Sequence, residues 1–586
     1  MRVGLLTEGG YPYATGEARV WCDRLVRGLD PHDFEIYALS RDARQEAAGW
    51  AELPGQVRRV RTAPLWGEPA GRRRPYGRRQ RRRFTEHFGD LAVAISVPGG
   101  PDGAQADRFA SGLHGLADLA RDGGGLSAAL RSEDAVRTLE RACHTPGAPR
   151  AAHRARVTDL LAVTEALERA LRPLSLDWYG GGGRDPGLSG VDLCHATSGG
   201  AAALPGLLAK RRFGTPLLVT EYGVRLREHY LWCTAGRDGR SGPVRALLAA
   251  FQGRLAAEAY AQAALITPGN THARRWQERC GASPERLRTV YPGMDAACFA
   301  EVGEGGAAAV GGDDRTLVWV GRLEPAKDVV ALLHAFAEVR RWHPDARLRV
   351  IETRPEARPE TRYETRPESR SGADPADGYP AHCRALAAHL FPDEAANAHT
   401  PGDNPVSFEH VGDPEVPTLA DAYAAGAVVV LSSVVEGFPV GLVEAMFCGR
   451  ATVSTDAGAV CEAIGGTGLV VPPRNPRALA DACLALLRDP ERRARLGAAA
   501  RARALELFTA EQNVVAFRGI YLELMSHCPV RREEVGADGA PLPFARPAEA
   551  HIPGHWTAGQ RPAPTPGWAE AGPPHRTLAA LSEEGA

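Results

Sequence analysis

At 586 residues the chain is too long for one ordinary core, so two domains with extensions are expected. Its 44% hydrophobic and 24% charged residues are those of a folded, soluble protein, and 70 basic against 71 acidic residues leave a formal charge of −1. Nothing in that balance calls for nucleic acid as a partner. The eleven cysteines include no C-x-x-C pair and no cluster with histidine, which argues against a zinc site or a disulfide framework.

In chain order, the apolar run RVGLL opens as a buried strand between Met1 and Thr7 and leads through the glycine-rich TEGGYPYATGEAR into the helical VWCDRLVRGL. Phe34–Ser40 is a second short strand, and this βαβ opening predicts a parallel, doubly wound sheet. No long apolar run follows a basic start, so no signal peptide is expected, and no stretch of about 18 uncharged apolar residues predicts a membrane span. The cytoplasm is the expected compartment.

The basic run Arg72–Arg83 reads as a solvated loop or helix start, with a polyanion site as the alternative. Two largely helical stretches, Ala104–Leu139 and Ala151–Leu171, are expected next. Strands are predicted at Val191–His195, Pro216–Thr220, Ala264–Pro268 and Leu287–Val290. Glu301–Asp314 has the glycine and alanine content of an interdomain linker.

A second βαβ series follows. It comprises strand Leu317–Val320, helix Val329–Arg340 and strand Ala346–Ile351, then strand Val406–Val411 and helix Thr418–Ala424. Strand Val428–Ser432, helix Leu442–Phe447 and strand Ala451–Thr455 complete it. Thr353–Arg370 is a low-complexity repeat of charge and proline expected to be a disordered loop, and the proline-rich end beyond Ser526 a flexible tail.

The densest chemical signal is Glu436-Gly437-Phe438-Pro439-Val440-Gly441-Leu442-Val443-Glu444, where a strand ends and a helix begins at the carboxyl edge of a sheet. Gly437 and Gly441 permit close backbone approach, and a helix N-terminus offers N–H groups and partial positive charge to a diphosphate. Glu436 and Glu444 lie eight residues apart, so one can face a sugar and the other ribose hydroxyls. The competing reading is an ordinary strand–loop–helix with surface glutamates. A second motif, Val320-Gly321-Arg322-Leu323-Glu324-Pro325-Ala326-Lys327, follows the first strand of the second half. Arg322 can fork onto phosphate oxygens and Lys327 adds a compact charge. Lys327 and Lys210 are the chain's two lysines in an arginine-biased, G+C-rich composition of bacterial type, and Lys210 reads as a solvated helix-end residue.

With these motifs the sequence resembles family 4 of the retaining glycosyltransferases, which have the GT-B fold of two Rossmann-like domains facing a cleft. The resemblance implies that Glu436 contacts donor-sugar hydroxyls and Glu444 the nucleotide ribose. It implies that Gly16, Gly321, Gly437, Phe438, Pro439, Gly441 and Leu442 lie along the donor, and that Arg322 and Lys327 neutralise the diphosphate without a metal. TEGGYPYATGEARVWCDRL and VTEYGVRLREHYL look like the Pel-type exopolysaccharide subgroup. Two departures stand out: Gly16-Glu17 where relatives have two glycines, and Tyr222 where the subgroup commonly has a histidine near the anomeric centre. Tyr222 can still donate a hydrogen bond, and His195 is a second candidate.

The expected architecture is α/β, GT-B. An acceptor-side Rossmann-like domain with a helical insertion covers 1–300 and a nucleotide-sugar domain 315–490, with returning helices over 491–526 and a disordered C-terminal tail over 527–586. The expected activity is transfer, with retention, of a sugar from a nucleotide sugar, a UDP-sugar by resemblance, to a glycan or small-molecule acceptor. No cofactor or metal and no nucleic acid are expected; peripheral membrane association stays open. The alternatives are a catalytically impaired nucleotide-sugar- or glycan-binding protein and a sugar-nucleotide epimerase on the same scaffold.

Overall fold

The computed structural model describes residues 1–13, 19–50, 52–67, 76–100, 103–180, 186–234, 239–304, 314–353, 378–392 and 404–530. Outside them fall Gly16 and Glu17, Arg72–Arg74 of the basic run, most of the expected linker and low-complexity loop, and nearly all of the expected tail.

Among the described residues twelve strands form two six-stranded sheets, and every pairing between them is parallel. The first contains β1 (Arg2–Glu8), β2 (Asp33–Ser40), β3 (Val57–Pro64), β4 (Leu193–Ala196), β5 (Leu217–Glu221) and β6 (Leu265–Pro268). The second contains β7 (Thr316–Gly321), β8 (Arg347–Glu352), β9 (Val406–His410), β10 (Val428–Leu431), β11 (Ala451–Thr455) and β12 (Leu469–Val471). Central strands such as LLVTE and VVVL are buried residue after residue, as required when helices cover both faces of a sheet.

The two sheets share one topology. Their orders are β3-β2-β1-β4-β5-β6 and β12-β11-β10-β7-β8-β9, so the direction of winding reverses between β1 and β4 and between β7 and β10. In open α/β sheets, ligands bind outside the carboxyl ends of the strands at such a reversal. Each half therefore has one position where a ligand is expected.

Strands β3 and β12 were not anticipated from the sequence, and the expected strand Leu287–Val290 is reduced to one bridge from Leu287 to Ile266. The described residues between β3 and β4 form a helical insertion. Helices Arg78–Ser96, Ala104–Gly123, Glu133–Cys143 and Val157–Leu171 bury Phe84, Phe88, Leu116, Leu139, Val163 and Leu167 in the first-half core. Arg78, Arg79, Arg81 and Arg82 form the exposed start of the first of these helices.

Helix Pro490–Leu507 packs on the second half, and the chain then returns. Helix Ala510–His527 lies against helix Arg19–Gly28, where a side chain at Gly28 would run into Val514. Phe517 meets Trp21 edge-on, and Trp21 Nε1 donates to Asn513 Oδ1 at 3.2 Å.

Candidate functional site

At the second reversal, β7 and β10 each end in a loop, and the two loops are stitched together. Val434 N donates to the Ala326 carbonyl at 2.9 Å and Ser432 Oγ to the Lys327 carbonyl at 2.7 Å. Asp328 takes a left-handed backbone, φ 46°, which aspartate tolerates, and its carboxylate caps helix Val329–Trp342 through Ala331 N. That turn sends Lys327 across to the neighbouring loop. Its Nζ lies 2.5 Å from Glu436 Oε1, to which Ser433 Oγ also donates at 2.7 Å. Arg322 stands in the same loop, near Glu324 at 3.8 Å.

Glu436 is fixed from behind as well. Thr455 Oγ1 donates to the Ser433 carbonyl at 2.5 Å, and Ala459 N to the Gly437 carbonyl at 3.1 Å. Gly458 adopts φ 60°, and any Cβ there would overlap the Glu436 and Gly437 carbonyls, so this contact requires glycine. Gly437 itself faces open space. Pro439 then starts helix Val440–Phe447 without a side-chain cap, which leaves that N-terminus to backbone N–H groups. Phe438 packs beside Tyr291 and Phe508.

The first half reaches over this loop. Arg227 Nη2 donates to the Glu436 carbonyl at 2.7 Å from helix Arg225–Thr234. Glu462 accepts from Thr271 N at 2.7 Å, at the start of helix Thr271–Arg279, and from Tyr291 OH at 2.9 Å. A carboxylate at that helix start is favoured by the helix dipole. Asn513 Nδ2 donates to the Tyr291 carbonyl at 2.6 Å and lies 3.4 Å from Tyr222 OH.

The structure thus brings Arg322, Lys327, Glu436, Gly437 and Phe438 to one place, with Gly321, Pro439, Gly441 and Leu442 in the elements that carry them. Leu442 is buried, so only its backbone belongs to the site. Glu444 is buried too, and its Oε2 accepts from Tyr423 OH at 2.6 Å. Tyr222 is half-buried across the cleft in the first half, beside Trp21. His195 is not brought to these groups. It is fully buried within β4, with Nδ1 2.7 Å from Tyr521 OH and Nε2 2.7 Å from Thr220 Oγ1. Burial pushes its pKa down to about 3, so it stays neutral.

The sequence points to Arg227 and Glu462 only as parts of the resembling segments VTEYGVRLREHYL and GAVCEAI, without roles, and not to Ser433 or Asn513. Ser433 precedes Glu436 by three residues and could have been read with it; the other three are joined to the site only by tertiary contact. Glu221, in the first of those segments, was likewise given no role. It is buried under Tyr222, held by Gly199 N at 3.1 Å and by Tyr260 OH, and burial raises its pKa. Among the described residues no group of three or more His, Cys, Asp or Glu could hold a metal ion, and no helix is long and apolar enough to cross a membrane.

Residues 1–285 match the family described as Domain of unknown function (DUF3492), and residues 395–489 match Glycosyl transferases group 1. The D-inositol 3-phosphate glycosyltransferase of Kribbella flavida is 28% identical over 345 residues, 57% of this chain and 72% of that protein. The protein of the same name from Kineococcus radiotolerans is 32% identical over 254 residues, 40% of this chain and 52% of its own. Beyond the first of these, the chain spans about half the length of most curated relatives it matches. Among solved structures, sucrose-phosphate synthase from Thermosynechococcus elongatus aligns at a TM-score of 0.51 and 16% identity, over 90% of this chain and 100% of that one. That likeness is one of fold.

Proposed function

We propose that this chain, a GT-B protein with a group 1 glycosyltransferase domain over residues 395–489, transfers a sugar from a nucleotide-sugar donor to a hydroxyl acceptor with retention of configuration. The observation that carries this reading is the cluster at the second reversal: Lys327, Arg322 and an uncapped helix N-terminus around Glu436. Two cations and the positive end of a helix dipole meet the charge of a departing diphosphate, and they do so already positioned. Glu436 is supplied with a cation and a hydroxyl partner in the free protein, and sugar hydroxyls would exchange with those partners when the donor binds. The acceptor hydroxyl attacks the anomeric carbon on the face the diphosphate leaves. The new C–O bond forms as the old one breaks, and the hydroxyl proton passes to the leaving phosphate oxygen.

The donor we propose is a uridine diphosphate sugar, and the acceptor a glycan of exopolysaccharide type. The support for the acceptor is the likeness of the segments around Tyr11 and Tyr222 to the Pel-type subgroup. A donor drawn from the nucleotide-sugar pool places the reaction in the cytoplasm. Thermal-shift screening against a panel of nucleotide sugars tests the reading. A donor at 100 times its dissociation constant should stabilise the chain by about 2.7 kcal/mol. A panel with no stabilising member removes the assignment.

A further inference from the structure

The cleft end of β5 rests on a buried carboxylate. Glu221 closes that strand, directly before Tyr222, and is 1% exposed. Its Oε1 accepts from Gly199 N at 3.1 Å; its Oε2 accepts from Tyr260 OH and lies 3.4 Å from Gln277 Nε2. The three donors come from the loop after β4, from helix Gly242–Gln262 and from helix Thr271–Arg279. Gly199 meets the carboxylate with bare backbone: a Cβ there would stand 3.0 Å from the Tyr260 ring and 3.4 Å from Glu221 Oε1. Gly200 N then donates to Ser198 Oγ at 3.3 Å, and Ser198 and Tyr222 face one narrow recess at the carboxyl ends of the strands. Open α/β sheets meet their ligands on that edge.

We propose that Glu221 is a positioning residue for the transfer, setting the first-half wall that faces the acceptor through Gly199 on one side and its chain neighbour Tyr222 on the other; this role rests on the transfer reading above. The chemistry of the donors argues for it. An ionised carboxylate only accepts hydrogen bonds, and here a backbone amide, a phenol and a carboxamide are all turned towards it. Glutamine would set its own N–H groups against one of them. An aliphatic side chain would leave the Gly199 amide and the Tyr260 hydroxyl buried without this acceptor, at a cost for each. The charge is costly to bury and is met by neutral donors, so the loop is held where donors and carboxylate fit together.

Protonation would undo this arrangement, because it turns one accepting oxygen into a donor that faces another donor. Burial raises the pKa of Glu221; Tyr260, Gly199 and Gln277 lower it by bonding the ionised form, and Glu228 of helix Arg225–Thr234 raises it by its charge. Tyr260 stays neutral, its hydroxyl held well above the usual value by burial. Cys280, just after helix Thr271–Arg279, is pushed up to about 12 by burial and stays neutral too. The positioning form is therefore the ionised one. It is present above the raised pKa and is lost as pH falls through it.

The test uses the full chain, with glycerol and glucose as hydroxyl acceptors. The donor is uridine diphosphate glucose, or the nucleotide sugar of the panel that stabilises the chain most. Release of the nucleoside diphosphate gives kcat against pH, and thermal shift gives donor binding in the same samples. Glu221→Gln should lower kcat by about 10- to 100-fold, keep the donor shift of the wild type and remove the acid limb of the profile. Tyr260→Phe keeps the ring, takes one donor from the carboxylate and should move the acid limb to higher pH. It carries the test should Glu221→Gln fail to fold. An acid limb unmoved in Tyr260→Phe, or kcat unchanged in Glu221→Gln, would overturn the inference and leave the transfer reading standing. A lower Tm with the limb unmoved overturns it as well, since Glu221 then only packs. No stabilising donor, or a bound donor with no diphosphate released, removes the transfer reading and this inference with it.

Discussion

Lys327 and Glu436 lie 109 positions apart in sequence and meet at 2.5 Å, with Lys327 17% and Glu436 5% exposed. Each neutralises the other, and Ser433 shares the load on the same oxygen. A pair this sheltered acts as one unit. Lys327→Ala and Glu436→Ala are each expected to lower transfer by about 10²–10³. The double variant should be no worse than the poorer single, as for groups that act together. Additive losses in kcat/KM would show that the two work independently.

Arg322→Lys should also reduce transfer, because a point charge cannot reproduce the bidentate fork on phosphate oxygens. Transfer itself should survive a chelator, since Arg322, Lys327 and a helix terminus are proposed to meet the diphosphate charge. Loss of activity in chelator, restored by magnesium or manganese, would contradict that division of labour.

Tyr222 is positioned by a gap. A side chain at Gly269, just after β6, would overlap its ring, and Trp21 meets that ring edge-on at 5.4 Å. Gly269→Ala should therefore cost about 1–3 kcal/mol of stability by overpacking, seen as a lower Tm, and should impair turnover by displacing Tyr222. Tyr222→Phe leaves the ring and removes the hydroxyl near Asn513. It should lower kcat more than donor affinity, the mark of an interaction gained in the transition state. A Phe variant with wild-type turnover leaves Tyr222 a packing residue.

His195 makes stability depend on pH in a known direction. Its folded pKa is about 3 and the unfolded value is near 6.5, so the unfolded chain binds more protons between them. The stabilisation is complete above the unfolded value and is lost as pH falls towards the folded one. At pH 5 the loss is about 2 kcal/mol from this residue. His32, lowered to about 4 by burial, acts in the same sense. Thermal melts should give a lower Tm at pH 5 than at pH 7.5, and His195→Asn should flatten the slope. A Tm that rises on acidification contradicts the assignment.

Much of this was legible because it is local. The strand–loop–helix around Glu436 and the loop carrying Lys327 each sit within a dozen residues, and their glycines and charges announce them. The strands of unbroken aliphatic burial were legible for the same reason. β3, VRRVRTAP, was not, since its exposed arginines break the apolar pattern of an edge strand paired with β2. β12 is three residues long and carries no pattern. His195 read as a residue at the end of a strand because its true neighbour, Tyr521, is 326 positions away. Arg227 on Glu436 and Glu462 on Thr271 join the two halves and leave no trace in spacing.

The returning helix Ala510–His527 sets the order in which the protein can be completed. Phe517, Tyr521 and Asn513 are buried against Trp21 and His195 of the first half, yet they are made after the whole of the second. During synthesis the first half must wait, with that groove unfilled, while more than two hundred further residues emerge. A fragment ending before Ala510 is therefore expected to leave Trp21 and its neighbours uncovered and to behave as an incomplete fold rather than an independent module.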